Sequence, residues 1–220
     1  MTPKTQKKKT KVAIILASLA LVGTMAIGGI SAYFTDTDSA TNTVTVGSID
    51  IDLDEPNWDP SDPEHTDITP DKEFDKNPQV TNVGHNDAFV FVQVSVPYKN
   101  VVTANEGGTK NASADTELFT YTINSDWTEV GTPAKDTEHG VVVHTYAYGT
   151  STACTALAPK TTTSQAVFDK IKLVNVIEGQ VDNETLDVGV KAYGIQTENV
   201  NGGKTNPTDV WTVVNNQTNG

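Results

Sequence analysis

Arginine is absent from the 220 residues, cysteine occurs once and methionine twice. With no Arg, and with 28 acidic residues against 15 Lys for a net charge of −13, the chain lacks the basic surface that neutralises phosphates. Nucleic acid is therefore excluded as a partner. A single Cys excludes an internal disulfide, a zinc ribbon and a Cys-x-x-Cys redox pair. Cys154 lies in Thr152-Ala153-Cys154-Thr155 with no base to favour a thiolate, so it reads as a small semi-buried residue. Gly-x-Ser-x-Gly and His-Glu-x-x-His are both missing, which removes a nucleophile elbow and a helical two-imidazole zinc site. Aromatic residues make up 7%. No segment carries a sustained apolar stripe at 3.6-residue spacing, so long amphipathic helices are not expected.

What is present begins with an address. Lys4, Lys7, Lys8, Lys9 and Lys11 precede an apolar run from Val12 to Ile30, which ends in Gly28-Gly29-Ile30-Ser31-Ala32. A basic start, an apolar middle and a small-residue end make a secretory signal over residues 1–32, with the cut between Ala32 and Tyr33. The rival reading is a retained anchor, because the run nears the roughly 20 residues that span a bilayer. Cleavage removes five Lys and no acid, leaving 10 Lys against 28 acids and a charge of −18. Such a chain is soluble and attracts cations. Its contact with the membrane is expected only through the uncleaved signal.

The remainder reads as strands. Thr occurs 33 times and Val is plentiful, and both suit a pleated surface. Alternation marks Thr43–Val46 and Ile49–Asp54, with a phase slip at Gly47-Ser48. Ala88–Val96 is nearly continuous in apolar residues; it is expected to be a central strand that Pro97 ends. Leu118–Asn124, Gly140–Tyr148, Val167–Ile177 and Thr185–Ile195 are further strands. A short helical turn is allowed at Ser164–Asp169. The polar tail, residues 199–220, has only Val210–Val214 as a possible last strand. Ile68-Thr69-Pro70-Asp71 and Leu157-Ala158-Pro159-Lys160 each read as a Pro-led turn into a strand. Many short strands separated by turn signals predict a two-sheet sandwich over residues 47–198.

The residues flanking the cut resemble a known group. Gly29-Ile30-Ser31-Ala32-Tyr33-Phe34-Thr35-Asp36-Thr37-Asp38, followed by Asn42-Thr43-Val44-Thr45-Val46-Gly47-Ser48-Ile49-Asp50-Ile51, is similar to the start of the TasA–camelysin family. Thr69-Pro70-Asp71-Lys72, Thr81-Asn82-Val83-Gly84 and Ala192-Tyr193-Gly194-Ile195-Gln196 extend the likeness. Asp71 departs from it, since Gly is commoner there. The resemblance implies secretion, removal of the signal by a dedicated signal peptidase, and an all-β, jelly-roll-like antiparallel β-sandwich. In matrix members it also implies fibres, built when one subunit's N-terminal strand completes the sheet of the next. On this chain the donor segment is residues 33–46, with Tyr33, Phe34, Val44 and Val46 as self-assembly contacts. An extended strand gains main-chain hydrogen bonds at an open sheet edge, and a head-to-tail contact that does not close propagates as a filament. The partner expected is the chain itself, and the location the extracellular (biofilm) matrix or cell surface. The competing expectation is that Tyr33–Ser39 is a disordered N-terminus, or that Thr43–Val46 pairs within its own domain.

Two other functions compete. Some relatives are called metallopeptidases, and a camelysin-like endopeptidase needs a metal site assembled from distant residues. His65, His85, His139 and His144 each read as surface histidines; His139 and His144 could approach each other across a turn, but fall on opposite faces if Glu138–His144 is one strand. No catalytic residue is assigned. A surface adhesin or sugar-binding module would use Trp58 or Trp127 as a stacking platform. Between Asp50 and Asp75 there are 11 acids and one base, Lys72. Asp50, Asp52 and Asp54 project from one sheet face and are weak Ca²⁺ candidates. A solvated, edge-protecting charge row is the alternative, and no other cofactor is expected.

Overall fold

The computed structural model describes residues 35–37 (backbone only), 48–59, 61–62, 65 and 68–218. The chain divides into two units, Met1–Tyr33 and Phe34–Gly220. The expected signal, Ala32, and the donor contacts Tyr33, Phe34, Val44 and Val46 lie outside the described residues.

The second unit is all-β and antiparallel throughout its ladders. Its strands among the described residues are β1 (Thr35–Thr37), β2 (Ile51–Asp54), β3 (Glu73–Asp75), β4 (Gln79–Asn82), β5 (Ala88–Val101), β6 (Ala114–Glu117), β7 (Phe119–Tyr121), β8 (Trp127–Glu129), β9 (Ala134–Asp136), β10 (Val141–Tyr148), β11 (Thr161–Thr162), β12 (Lys170–Leu173) and β13 (Gly189–Gln196). The main sheet runs β1-β13-β5-β10-β8, with β6 on β5 and β9 on β10. Two three-stranded sheets, β11-β4-β2 and β3-β12-β7, complete the sandwich. All three sheets feed one apolar core, in which Val80, Val90, Val92, Leu118, Phe168 and Leu173 are buried. Burial of such side chains is the main stabilising term, about 1.5–3 kcal/mol for each large aliphatic or aromatic group.

β5 is central, as its apolar run predicts, and it does not end at Pro97. It continues to Val101 by changing neighbours. β13 flanks it from Ala88 to Ser95, and β6 takes over from Tyr98 to Val101. At the handover the Leu118 N–H donates to the Pro97 carbonyl at 2.8 Å. Pro97 has no N–H to return, and the Leu118 carbonyl instead accepts from the Val174 N–H at 2.9 Å. The proline sits where its missing donor leaves no orphan.

The tail is not a strand. Pro207–Thr218 is a helix, α1, with Pro207, Val210 and Val214 buried. Asn206 caps it, its side-chain Oδ1 accepting from the Thr208 N–H at 3.0 Å, and Pro207 suits the first helical position. Val210 and Val214 are four apart and share one helix face. The Trp211 ring lies 5.3 Å from those of both Phe91 and Tyr193. The helix therefore covers the face of the main sheet that points away from the core. Ser164–Asp169 forms bends rather than a helical turn. The strand expected over Val167–Ile177 shortens to Lys170–Leu173.

The two Pro-led turns share one local solution. Lys72 N–H donates to Thr69 carbonyl (3.2 Å) and Thr161 N–H to Ala158 carbonyl (3.3 Å). The residues after the prolines, Asp71 and Lys160, have φ of 65° and 63°. Proline at the second turn position and a positive φ at the third are the marks of a type II turn.

Candidate functional site

The edge of β13 is the first site of interest. β5 pairs with it along its whole length, Gly189–Gln196, whereas β1 pairs only at Tyr193, Gly194 and Ile195, opposite Thr37, Asp36 and Thr35. Among the described residues no strand pairs with the outer edge of Gly189–Ala192. Among the described residues β2 is likewise the edge strand of its sheet, paired only with β4. Beside these edges opens a cleft of about 370 Å³, lined by Leu53, Asp54, Glu55, Trp58, Lys76, Val188 and Val190. At Gly194 the two layers come close. A Cβ there would stand 2.9 Å from Ile51 Cγ2 and 3.0 Å from Ile49 Cγ2. Glycine lets the strand that follows the N-terminal segment pack against β13.

The cleft is firmly built on one side. Lys76 is only 5% exposed, yet its ammonium is paired with Glu55 at 2.8 Å and lies 4.8 Å from the Trp58 ring centroid. A buried ammonium needs such a partner. Trp58 stacks on His65 at 4.1 Å, and His65 meets Phe74 edge-on. His65 covers one face of the Trp58 ring, and Trp127 is buried in the core with its Nε1–H donating to the Gln165 carbonyl at 3.1 Å. Trp127 is thus no sugar platform.

The histidines do not form a metal centre. His85 lies near Ser48, and His139 near Asp136 at 2.7 Å. The N–H groups of His139 and Glu138, together with the His139 ring, hold the Asp136 carboxyl below the usual range. His144 is not the surface residue expected. Its side chain is 15% exposed, with Nε2 2.8 Å from Glu117 and Nδ1 2.8 Å from Glu129. Both nitrogens are committed, and the carboxylates approach from opposite sides of the ring, so the three do not converge on one point. Tyr121 and Tyr146 adjoin His144 and share a hydroxyl–hydroxyl hydrogen bond of 2.9 Å. Burial pushes the Tyr146 hydroxyl up to about 12. These groups line a groove of about 670 Å³ between β6–β7 and β8–β10.

Asp50, Asp52 and Asp54 are not gathered either. Asp50, Asp52 and Asp54 are exposed while Ile51 is buried, which is the alternation expected. Side chains two apart on a strand stand roughly 7 Å from one another, too far to share a cation held at about 2.4 Å. Among the described residues no group of three or more His, Cys, Asp or Glu side chains is placed to hold a metal ion. Cys154 is buried and free, and burial pushes its thiol up to about 12, which makes it unreactive. Among the described residues no helix is long and apolar enough to cross a membrane.

Sequence reasoning missed the His144 cluster and α1. His144, Tyr146 and Tyr148 alternate along β10 and therefore share a face, which is a local signal. Glu117 and Glu129 reach that face only through pairing across β6 and β8.

Comparison with known proteins gives one match. The profile of the family described as camelysin metallo-endopeptidase covers residues 5–123. That span includes β1–β7 and stops before β8, His144, β13 and α1. No curated protein and no solved structure matches the chain.

Proposed function

Since this chain belongs to the camelysin metallo-endopeptidase family, we propose, from that membership and from its sheet edges, that it is a secreted structural protein of the matrix or cell surface. It self-associates by passing its N-terminal strand to a second copy once a signal peptidase has removed residues 1–32. The observation that carries the reading is the pairing of Thr35–Thr37 with β13. It marks that edge as one that accepts this very segment. In the lone chain Thr35–Thr37 serves its own edge, and Thr43–Val46, the stretch for which pairing within its own domain was the alternative, lies outside the described residues. The three pairs among the described residues contribute a few hydrogen bonds, each net about 0.5–1.5 kcal/mol, which a neighbour's strand can supply equally. A donated strand can also run along the Gly189–Ala192 edge, whose outer side no described strand pairs.

The family's name supplies a second reading, a metalloendopeptidase. The donor set does not fit it. A zinc centre needs three or four side chains at about 2.0–2.3 Å from one point. The described residues offer none, and His144 has spent both nitrogens on carboxylates. No peptidase step is derived for this chain.

The test compares the chain starting at Tyr33 with one starting at Gly47. Concentrated and incubated, the first is expected to form filaments visible by electron microscopy, and the second to remain a folded monomer. Identical filaments from both would remove the proposal. Stoichiometric zinc with chelator-sensitive casein cleavage would establish the peptidase reading instead.

A further inference from the structure

α1 borders the exchanged strand as well as covering the sheet. It lies against both β13 and β1. Its anchors, however, are elsewhere. Val210 and Val214 are buried, and the half-buried Trp211 rests on Phe91 of β5 and Tyr193 of β13. The base of the helix is fixed too. The Thr205 carbonyl accepts the Cys154 N–H at 2.8 Å, and Lys204 pairs with Asp209 at 3.2 Å. β1 consists of Thr, Asp and Thr and brings no apolar side chain of its own. Among the described residues, β1 is held by its ladder with β13 and by α1 lying against it.

Tyr193 joins the two. Its backbone pairs with Thr37 on one side and Phe91 on the other, while its ring meets Trp211 edge-on at 5.3 Å and its hydroxyl donates to Gln93 at 2.7 Å. We propose that α1 is a strap: seated by Trp211 on Phe91 and Tyr193, it retains β1 on the chain's own β13 edge and sets how readily that edge opens to a second copy. Because the helix is anchored on β5 and β13, it stays with the body when β1 leaves. It therefore brakes the exchange without belonging to the exchanged part. This inference rests on the strand-exchange reading for its consequence, and on the packing of α1 for its structure.

The experiment uses the chain from Tyr33 to Gly220, which contains every described element. Amide hydrogen exchange is read at Thr35–Thr37 in freshly prepared monomer, with β5 and β10 as internal controls, and filament growth is followed in parallel. Trp211→Ala is expected to speed exchange at Thr35–Thr37 at least tenfold and leave β5 and β10 protected. Filaments then appear sooner. Asn206→Ala, which removes the cap and leaves the packing residues in place, is expected to give a smaller change in the same direction. Unchanged protection at Thr35–Thr37 in folded Trp211→Ala overturns the strap, whatever the filaments do. Faster exchange with no filaments from any variant supports the strap and instead sinks strand exchange. Should Trp211→Ala lose protection in β5, Asn206→Ala decides alone, and an unaltered Thr35–Thr37 there overturns the proposal.

Discussion

Replacing Gly84 by Ala tests the account of how the segment after the N-terminal arm is held. A Cβ at Gly84 would stand 2.6 Å from the Ser48 carbonyl oxygen and 2.9 Å from the Asp50 nitrogen. Both obstacles are backbone, so no side chain can turn aside. A retreat of about 0.8 Å is needed to restore ordinary contact. That retreat strains three hydrogen bonds: Val83 and Gly84 N–H to the Asp50 carbonyl at 2.9 and 3.0 Å, and His85 N–H to the Ser48 carbonyl at 3.1 Å. At about 0.5–1.5 kcal/mol each, their loss destabilises the fold by about 2–4 kcal/mol. For a domain of this size that lowers the melting temperature by about 5–15 °C. Gly194→Ala is the control. Its obstacles are the Cγ2 methyls of Ile51 and Ile49 at 2.9 and 3.0 Å. Those obstacles are apolar methyls and no hydrogen bond is lost, so the penalty is that of overpacking, about 1–3 kcal/mol. Thermal unfolding of the two variants beside the parent, followed by circular dichroism, gives the ranking. A Gly84→Ala protein that melts with the parent, or a Gly194→Ala protein that proves the weaker of the two, would refute the close-approach argument.

Lys160→Gly relieves a positive φ that is unfavourable by roughly 1–2 kcal/mol for a residue with a side chain. After the extra chain entropy of Gly, it should raise the urea midpoint by a margin worth about 0.5–1 kcal/mol. Each substitution also gives up one exposed interaction, the ammonium of Lys160 to the Val83 carbonyl and Asp71 to Lys172 at 2.8 Å, worth about 0–1 kcal/mol, so Asp71→Gly should gain about as much; a loss of stability in both variants would contradict this. His144→Phe strips a hydrogen-bonded partner from Glu117 and Glu129 and should destabilise by roughly 1–3 kcal/mol, with part of the loss recovered on adding Glu117→Gln and Glu129→Gln. An equally unstable triple variant argues against the clamp. Cys154 predicts alkaline sensitivity: its thiol is raised from 9.0 to about 12 in the fold, so the folded state favours the neutral form. That contribution is whole below about pH 9 and is lost as the pH climbs from there toward about 12. Urea midpoints at pH 8 and pH 10.5 should therefore fall further for the parent than for Cys154→Ala, and parallel falls would deny the burial argument.

The strands were visible in the chain because alternation is a local signal, and Ile51–Asp54 falls where the period-two run of Ile49–Asp54 places it. α1 was hidden for a physical reason. Its apolar contribution is Val210, Trp211 and Val214 within a Thr- and Asn-rich tail, and β-branched residues in a short run favour a strand by propensity. Two clues pointed the other way. Asn206-Pro207 is a cap followed by the favoured first residue of a helix. The unbroken apolar character of β5, with Val90, Val92 and Val94 on one face and Phe89 and Phe91 on the other, requires cover on both. Pro97 misled in a similar way, since a proline breaks a ladder only where its neighbour needs the missing donor. The surroundings of His144 depended on partners 15 and 27 residues away, and no pattern along a single strand encodes that.

The handover at Pro97 divides the long strand into two stretches that answer to different companions. Rungs on the β13 side are zipped to one end of the molecule, and rungs on the β6 side to the other, with a one-donor dislocation between them. Fraying that begins at the β6 hairpin thus meets a firebreak before it reaches the wall that holds the arm. The molecule should lose order in separate blocks, so heat or protease can spoil the β6 rim while the β13 edge stays intact.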